Sequence, residues 1–350
     1  MKAFIFKASL FTLPFFLLYL MSEVLINKNA GDLLRVGYIY NTSEYNANLK
    51  KSYSHLPLCY NSVADTPVKQ SLGPTILTIG DSFSDQGIFG YQNQLANIDS
   101  SLNILHLKKF ELHNPLQTLT AIINGDLLDS LKVNYIILQS VERAFTRRSI
   151  NLSFHDTITY SEMKKEYSLK KNVPKPKLKN RQKFFTDRTI KPFIINLQYL
   201  FIDKPDWSLT YKTPTTKNLF TYNKQELLFI NEDLFDINLN NDSYHVNRLN
   251  ATLNKISSLL AVRGVKLIVL PAPDKFSLYY PYLVRKENYP VPEFSILFNS
   301  TYPKEYIYIN SFALLGNMIT EHKDIYYYDD THWSPIAAKA IAAEILLHLN

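Results

Sequence analysis

A 350-residue chain with 46% hydrophobic and 20% charged residues has globular composition, which excludes a disordered or low-complexity protein. Its length allows one large domain or two smaller ones, each with its own core. The net charge is +7, and Cys59 is the single cysteine, which excludes an intrachain disulfide and a Cys-based metal site.

The first stretch, MKAFIFKASLFTLPFFLLYLMSEVLINKN, carries Lys2 and Lys7 and then no charge from Ala8 to Ser22. Ala3 to Ile26 is long enough to cross a hydrocarbon core of roughly 30 Å. It is apolar on every face, contains Pro14, and lacks a convincing small-x-small cleavage site directly after the apolar run. An uncleaved single-pass anchor over residues 1–29, inserted through residues 3–26, is therefore expected ahead of the alternative, a signal peptide cleaved near Asn29-Ala30-Gly31. Lys2 and Lys7 place its N-terminus in the cytoplasm, and the body of the chain in a periplasm or at a cell surface. Residues 30–73, polar with Asn, Ser and Tyr, read as a juxtamembrane linker with little regular structure.

A rhythm of strands and helices begins at Thr75. TILTIG reads as a buried strand, SFSDQGIFGYQNQLAN as a helix weakened by Gly87 and Gly90, and LNILHL as a second strand. PLQTLTAIINGDLLDSL is a helix opened by Pro115, and VNYIILQS is a third buried strand. Such alternation predicts parallel strands with crossover helices. The rhythm breaks at about 144–242, which reads as an insertion after the third strand. It contains the basic patch: between Arg147 and Lys191 stand 13 Lys and Arg against 4 Asp and Glu. Such a patch attracts anions and also suits a solvated insertion; no nucleic-acid motif accompanies it, so no nucleic-acid partner is expected. The rhythm resumes with the helical SYHVNRLNATLNKISSLLAVRG, the strands VKLIVLPAP and EYIYINS, and a final helix capped by Ser334 with Pro335 at its first position. The domain is thus read as residues 74–350.

Ser82 stands at a strand-to-helix turn, the carboxyl edge where open α/β sheets bind ligands. A helix N-terminus adds free N–H groups suited to an oxyanion, although serine is also an ordinary helix cap. A serine nucleophile needs a base, and the base an orienter. YYYDDTHWSP supplies His332 with Asp329 three residues and Asp330 two residues before it, just ahead of the last helix. The eight histidines are scattered without ligand spacing, so no metal is assigned, and no cofactor either.

GDSFS resembles the Gly-Asp-Ser block of the SGNH/GDSL hydrolase superfamily, and DDTHW its C-terminal Asp/His block. The Asp-Thr-His-Trp form is most similar to the alginate O-acetyltransferase group, as is VKLIVLPAPDKFSLYYPYL with its Pro-x-Pro-x-Lys run. The resemblance implies a flavodoxin-like, three-layer α/β/α sandwich around a parallel sheet. It also implies Ser82 as nucleophile, His332 as general base and Asp330 as orienting acid, with Asp329 as the alternative. Asp81 is expected to hold the turn and is kept, with Trp333 and Lys275, as a candidate at the substrate. In the alginate enzymes the Asp/His block precedes the serine; here the serine comes first, as in ordinary SGNH hydrolases. No Gly-x-Asn-Asp block follows the third strand, where LQSVER stands instead. The oxyanion candidates are therefore Ser82 itself, Asn114, Gln117 and Arg143.

The triad chemistry implies an acyl-serine released by a second nucleophile. With a sugar hydroxyl the protein is an O-acetyltransferase of a cell-envelope polysaccharide, fed by a membrane-bound acyltransferase; with water it is an esterase or deacetylase. A third expectation is a glycan-binding or assembly protein without catalysis.

Overall fold

Strand residues that are apolar at every position need cover on both faces, and that requirement organises the chain. The computed structural model describes residues 1–25, 30–41, 43–63, 73–107, 114–171, 187–222 and 225–349. Eight strands occur among them: β1 (Asn61–Ser62), β2 (Thr75–Ile79), β3 (Asn103–Leu107), β4 (Tyr135–Val141), β5 (Thr210–Pro214), β6 (Glu226–Ile230), β7 (Lys266–Ala272) and β8 (Ile307–Tyr308). Six form one sheet in the order β1-β3-β2-β4-β7-β8, with every neighbouring pair parallel. Apart from the short edge strand β1, this is the doubly wound flavodoxin-like order.

Alternate strand residues feed two cores. Ile76, Ile104, Ile137 and Ile268 join one cluster, with Phe83, Tyr91, Trp333 and Ile341. Leu77, Leu105, Ile136 and Leu267 join the other, with Leu119, Leu249 and Leu253. Each fully buried Leu or Ile contributes about 1.5–3 kcal/mol. The strand order reverses between β2 and β4, whose carboxyl ends therefore open a crevice.

Four regions depart from the sequence expectations, the first being PLQTLTAIINGDLLDSL, which forms two helices, Pro115–Ile123 and Leu127–Leu131, rather than one. SFSDQGIFGYQNQLAN is not one helix: two 3-10 turns, Ser82–Ser84 and Gly87–Phe89, precede a helix that starts only at Tyr91. Gly87 sits at φ +58° and Gly90 is extended, and these conformations interrupt the helical path. Residues 30–73 are more than a linker. They contain the helix Asp32–Val36 with buried Leu33 and Leu34, the helix Ala47–Tyr53, and β1 paired with β3. Apolar side chains at 33, 34 and 39 join the first core cluster, which draws this stretch onto the domain. The stretch read as an insertion carries the antiparallel hairpin β5–β6, whose Leu227, Leu228 and Phe229 also enter that core. VPKPKLKN, at 173–180, lies outside the described residues.

The N-terminal helix Lys2–Leu25 holds Pro14 without ending there, and apolar side chains from Phe4, Leu10 and Phe11 to Phe16 and Val24 are exposed along it. Among the described residues it is the one helix long and apolar enough to cross a membrane. Ile26, counted into the expected span, lies outside the described residues.

Candidate active site

The serine side is built by a glycine, an aspartate and a glutamine. β2 delivers the chain into Gly80, where a Cβ would lie 2.1 Å from Ser84 Oγ and 2.5 Å from Gln139 Oε1; only glycine fits this approach. The next residue, Asp81, is buried, and its carboxylate accepts from Phe83 N (3.2 Å), Val141 N (2.8 Å) and Arg148 (2.7 Å). Burial pushes this carboxyl up, but the Arg148 charge and the hydrogen bonds outweigh it and hold the group below the usual carboxylate range. Gln139, at the end of β4, accepts from Asp81 N (3.0 Å) and Ser84 Oγ (2.9 Å). The cap of the turn is therefore Asp81, and Ser82 is left exposed at its first position. A 3-10 turn of three residues replaces the expected helix start, so the dipole of a long helix does not aim at Ser82.

The histidine side lies just before the last helix, Pro335–Leu346, which is capped by Ser334 through Ile336 N. Asp330 Oδ1 accepts from His332 N at 3.0 Å and pairs with His332 Nδ1 at 2.5 Å. Nε2 is buried and has no hydrogen-bond partner among the described residues. Burial lowers the imidazole's proton affinity, but the bond to Asp330 and the charges of Asp330, Asp32 and Asp81 raise it above the ordinary value overall. Asp330 is held below its own ordinary value: burial opposes this, and the pairing with His332 prevails. Asp329 turns away, its carboxylate accepting from Gly31 N (2.9 Å) and from Asn46 Nδ2. The two blocks meet through neighbours of Ser82. The Phe83 ring lies 4.9 Å from the His332 ring and 4.9 Å from Trp333, and Gln86 Nε2 donates to Trp333 O at 3.2 Å.

The remaining candidates sit elsewhere in this arrangement. Asn114 caps the helix Pro115–Ile123 by accepting from Gln117 N, and the Gln117 side chain is bonded to Ser153 and Asp156. Arg143 is paired with Asp233 at 3.0 Å and Asp274 at 2.7 Å, so its charge is spent on buried carboxylates. Trp333 is fully buried against Phe83 and Tyr91, which excludes it as a sugar-facing ring. Lys275 is neither on the surface nor facing a crevice. Its buried Nζ donates to Tyr327 O (2.7 Å), Tyr328 O (2.6 Å) and Asp330 O (3.1 Å). Burial pulls this ammonium down to about 8 despite the nearby carboxylates. Asp81 is likewise consumed by the turn rather than turned to a substrate.

Sequence reasoning missed Gln139, Arg148 and Asp32. Gln139 stands in LQSVER, where a family block was absent, so its position at a strand end was the available signal. Asp32 lies about three hundred residues from Thr331, whose N–H and Oγ1 it accepts at 2.9 and 2.6 Å, and no local spacing announces such a contact. The ligand atoms of Asp32, Asp330 and His332 lie within 4.8 Å of one another, yet both Asp32 oxygens are engaged by Thr331.

No curated protein and no solved structure matches the chain. Residues 224–350 match the family model described as the SGNH hydrolase-like domain of the acetyltransferase AlgX, which supports an esterase or acyltransferase type of enzyme. The match covers β6 to β8, Lys275 and the Asp330–His332 pair, while Ser82 lies outside it. Residues 224–350, in a chain with this parallel-sheet fold, are therefore similar to an SGNH hydrolase-like domain.

Proposed function

We propose that the protein is a membrane-anchored, extracytoplasmic O-acetyltransferase acting on a cell-envelope or exported polysaccharide, with Ser82 as nucleophile, His332 as base and Asp330 as orienter. The observation that carries this reading is His332 itself. Its Nδ1 is fixed by Asp330 while its Nε2 is left without a partner, beside the turn that exposes Ser82. An imidazole oriented in this way is what a serine nucleophile requires of its base, and Ser82 Oγ is the partner this reading gives to Nε2.

In this reading His332 Nε2 takes the Ser82 proton as Oγ attacks an acyl carbonyl. Collapse of the tetrahedral adduct expels the donor's leaving group, which receives the proton from His332. The sugar hydroxyl then attacks the acyl-serine, His332 taking its proton and returning it to Ser82. Gln117 and Arg143 donate to other partners and Asn114 caps its own helix, so the Ser82 backbone N–H is the oxyanion donor this reading uses. The match to an acetyltransferase family supports acetyl as the group carried. The exposed apolar helix Lys2–Leu25 supports anchoring, and Lys2 and Lys7 support a cytoplasmic N-terminus. An active site outside the cytoplasm lacks acetyl-CoA, hence the proposed membrane-bound acyltransferase as partner.

Full-length protein in detergent, given p-nitrophenyl acetate with and without an oligosaccharide acceptor, tests the reading. Acetylated sugar supports transfer, and release of acetate without acetylated sugar supports an esterase. Ser82→Ala is expected to lower turnover at least about a thousandfold; equal turnover in wild type and variant sinks the enzymatic reading.

A further inference from the structure

The residues that follow the apolar helix reach the catalytic loop. Gly31 N donates to Asp329 Oδ2 at 2.9 Å, and Leu33 N donates to Asp329 O at 3.1 Å. Asn46 Nδ2 donates to the other Asp329 oxygen. Asp32 accepts from both the backbone N–H and the hydroxyl of Thr331, the residue between Asp330 and His332. The approach at Gly31 is so close that a Cβ there would lie 2.1 Å from Asp329 O. Leu33 and Leu34 are buried in the core cluster that also contains Trp333, so apolar packing fixes this segment as well.

We propose that Gly31, Asp32, Leu33 and Asn46, which follow the apolar N-terminal helix, complete the active site, with Asp32 as a positioning residue that holds Thr331 and places a second carboxylate beside His332. This rests on the triad reading above. The same loop is also held by Lys275 through three carbonyls, so the stretch carrying Asp330 and His332 is fixed by both a buried ammonium and the segment after the apolar helix. The charged groups acting on His332 are Asp330, Asp32 and Asp81. Those acting on Asp32 are Asp330 and His332, with burial raising its carboxyl, Asp330 adding to the rise and the Thr331 bonds opposing it. Two consequences follow. The negative charge of Asp32 favours the imidazolium that forms as Ser82 attacks. The two bonds to Thr331 fix the loop that carries the imidazole, and small misplacements of a catalytic group are costly in rate.

The test uses full-length, detergent-solubilised protein, p-nitrophenyl acetate, and pH profiles of kcat and kcat/KM. Asp32→Asn keeps acceptor and donor atoms near Thr331 but removes the charge, and its acidic limb is expected to move to lower pH than in wild type. Asp32→Ala removes the bonds, and its kcat is expected to fall about tenfold or more with KM changed less than about twofold. Asp32→Glu restores the charge and is expected to return the limb toward the wild-type position. If Asp32→Ala loses its cooperative melt, the Asp32→Asn profile carries the test. Wild-type kcat and an unmoved limb in the Asn variant, with Ser82→Ala inactive, overturn the inference alone. Wild-type turnover in Ser82→Ala overturns the triad reading and this inference with it.

Discussion

The serine turn and the histidine loop are held in different ways. The turn of Ser82 is secured by groups on the adjacent strands and the helix that follows: Gln139 and Val141 at the end of β4, and Arg148 on the helix Glu142–Ile150. Those elements are part of the sheet's own crossover pattern, so the turn is a direct product of the fold. The loop of His332 has few such neighbours. It is held by Lys275 after β7, by Gly31, Asp32 and Leu33 near the N-terminus, and by Asn46. The difference teaches that the nucleophile is positioned by the adjacent strand and crossover helix, while the base is held largely by segments remote in sequence.

Variants of the two sides can break or sharpen this contrast. The largest effect is expected at the pair that orients the base. Asp330→Asn withdraws the carboxylate from Nδ1 and is expected to lower kcat about 10³–10⁴-fold, whereas Asp329→Asn, which removes a contact to the N-terminal segment, is expected to cost far less. Equal losses in the two variants, measured by steady-state kinetics, contradict the assignment of Asp330. The pH profile carries a further sign. Since the folded pKa of His332 lies above the ordinary imidazole value, its stabilising contribution is complete below that ordinary value and is lost as pH rises through the folded one. Activity needs the neutral base and therefore grows over the same interval, so stability from this group and catalysis run in opposite directions.

The next effect is expected on the serine side. Asp81→Asn leaves Arg148 without its carboxylate and weakens the bonds to Phe83 N and Val141 N. A loss of about 3 kcal/mol of stability is expected, seen in denaturant melts, because a largely buried guanidinium remains unpaired. A variant as stable as wild type shows that the turn does not depend on Asp81.

The smallest effect concerns Glu142, which lies between the two sides. This buried carboxylate accepts from Asp274 N and Ser277 Oγ, and burial, with Asp233 adding, raises it to about 7. A carboxyl raised in the folded state favours the protonated form, so its contribution is full below about pH 4.5 and declines as pH climbs to about 7. Glu142→Gln keeps an acceptor for Asp274 N and removes the charge. The variant is expected to match wild type near pH 5 and to gain about 1 kcal/mol near pH 8, roughly 1–2 °C in Tm. A lower Tm than wild type at pH 8 contradicts this.

Much of the fold was legible because its signals are local. TILTIG, LNILHL, VNYIILQS and VKLIVLPAP read as buried strands from apolar runs alone, and most of the intervening helices from their spacing and caps. The turn after β2 was misread as a helix start, since one positive-φ glycine and one extended glycine act through backbone conformation rather than hydrophobic period. The reading of residues 30–73 as a linker failed for a different reason. Leu33 and Leu34 are only two apolar residues in a polar stretch, and nothing nearby shows that a core lies within reach. Among site residues, the Ser82 and His332 blocks were visible as short motifs. Lys275 was visible as a residue but not in its role, because a lysine reads as surface until three carbonyls are seen around it.

By itself the sequence determined the alternation of strands and helices, the apolar N-terminal helix, and the presence of a serine just after a buried strand and of an Asp-x-His just before the last helix. These follow from residue type and spacing, which act over a few positions. Only the tertiary structure decided which aspartate meets His332, that Trp333 and Lys275 are buried, and that Asp32 reaches Thr331 from about three hundred residues away. Such contacts are set by the order in which parallel strands cross over, and no local pattern encodes that order.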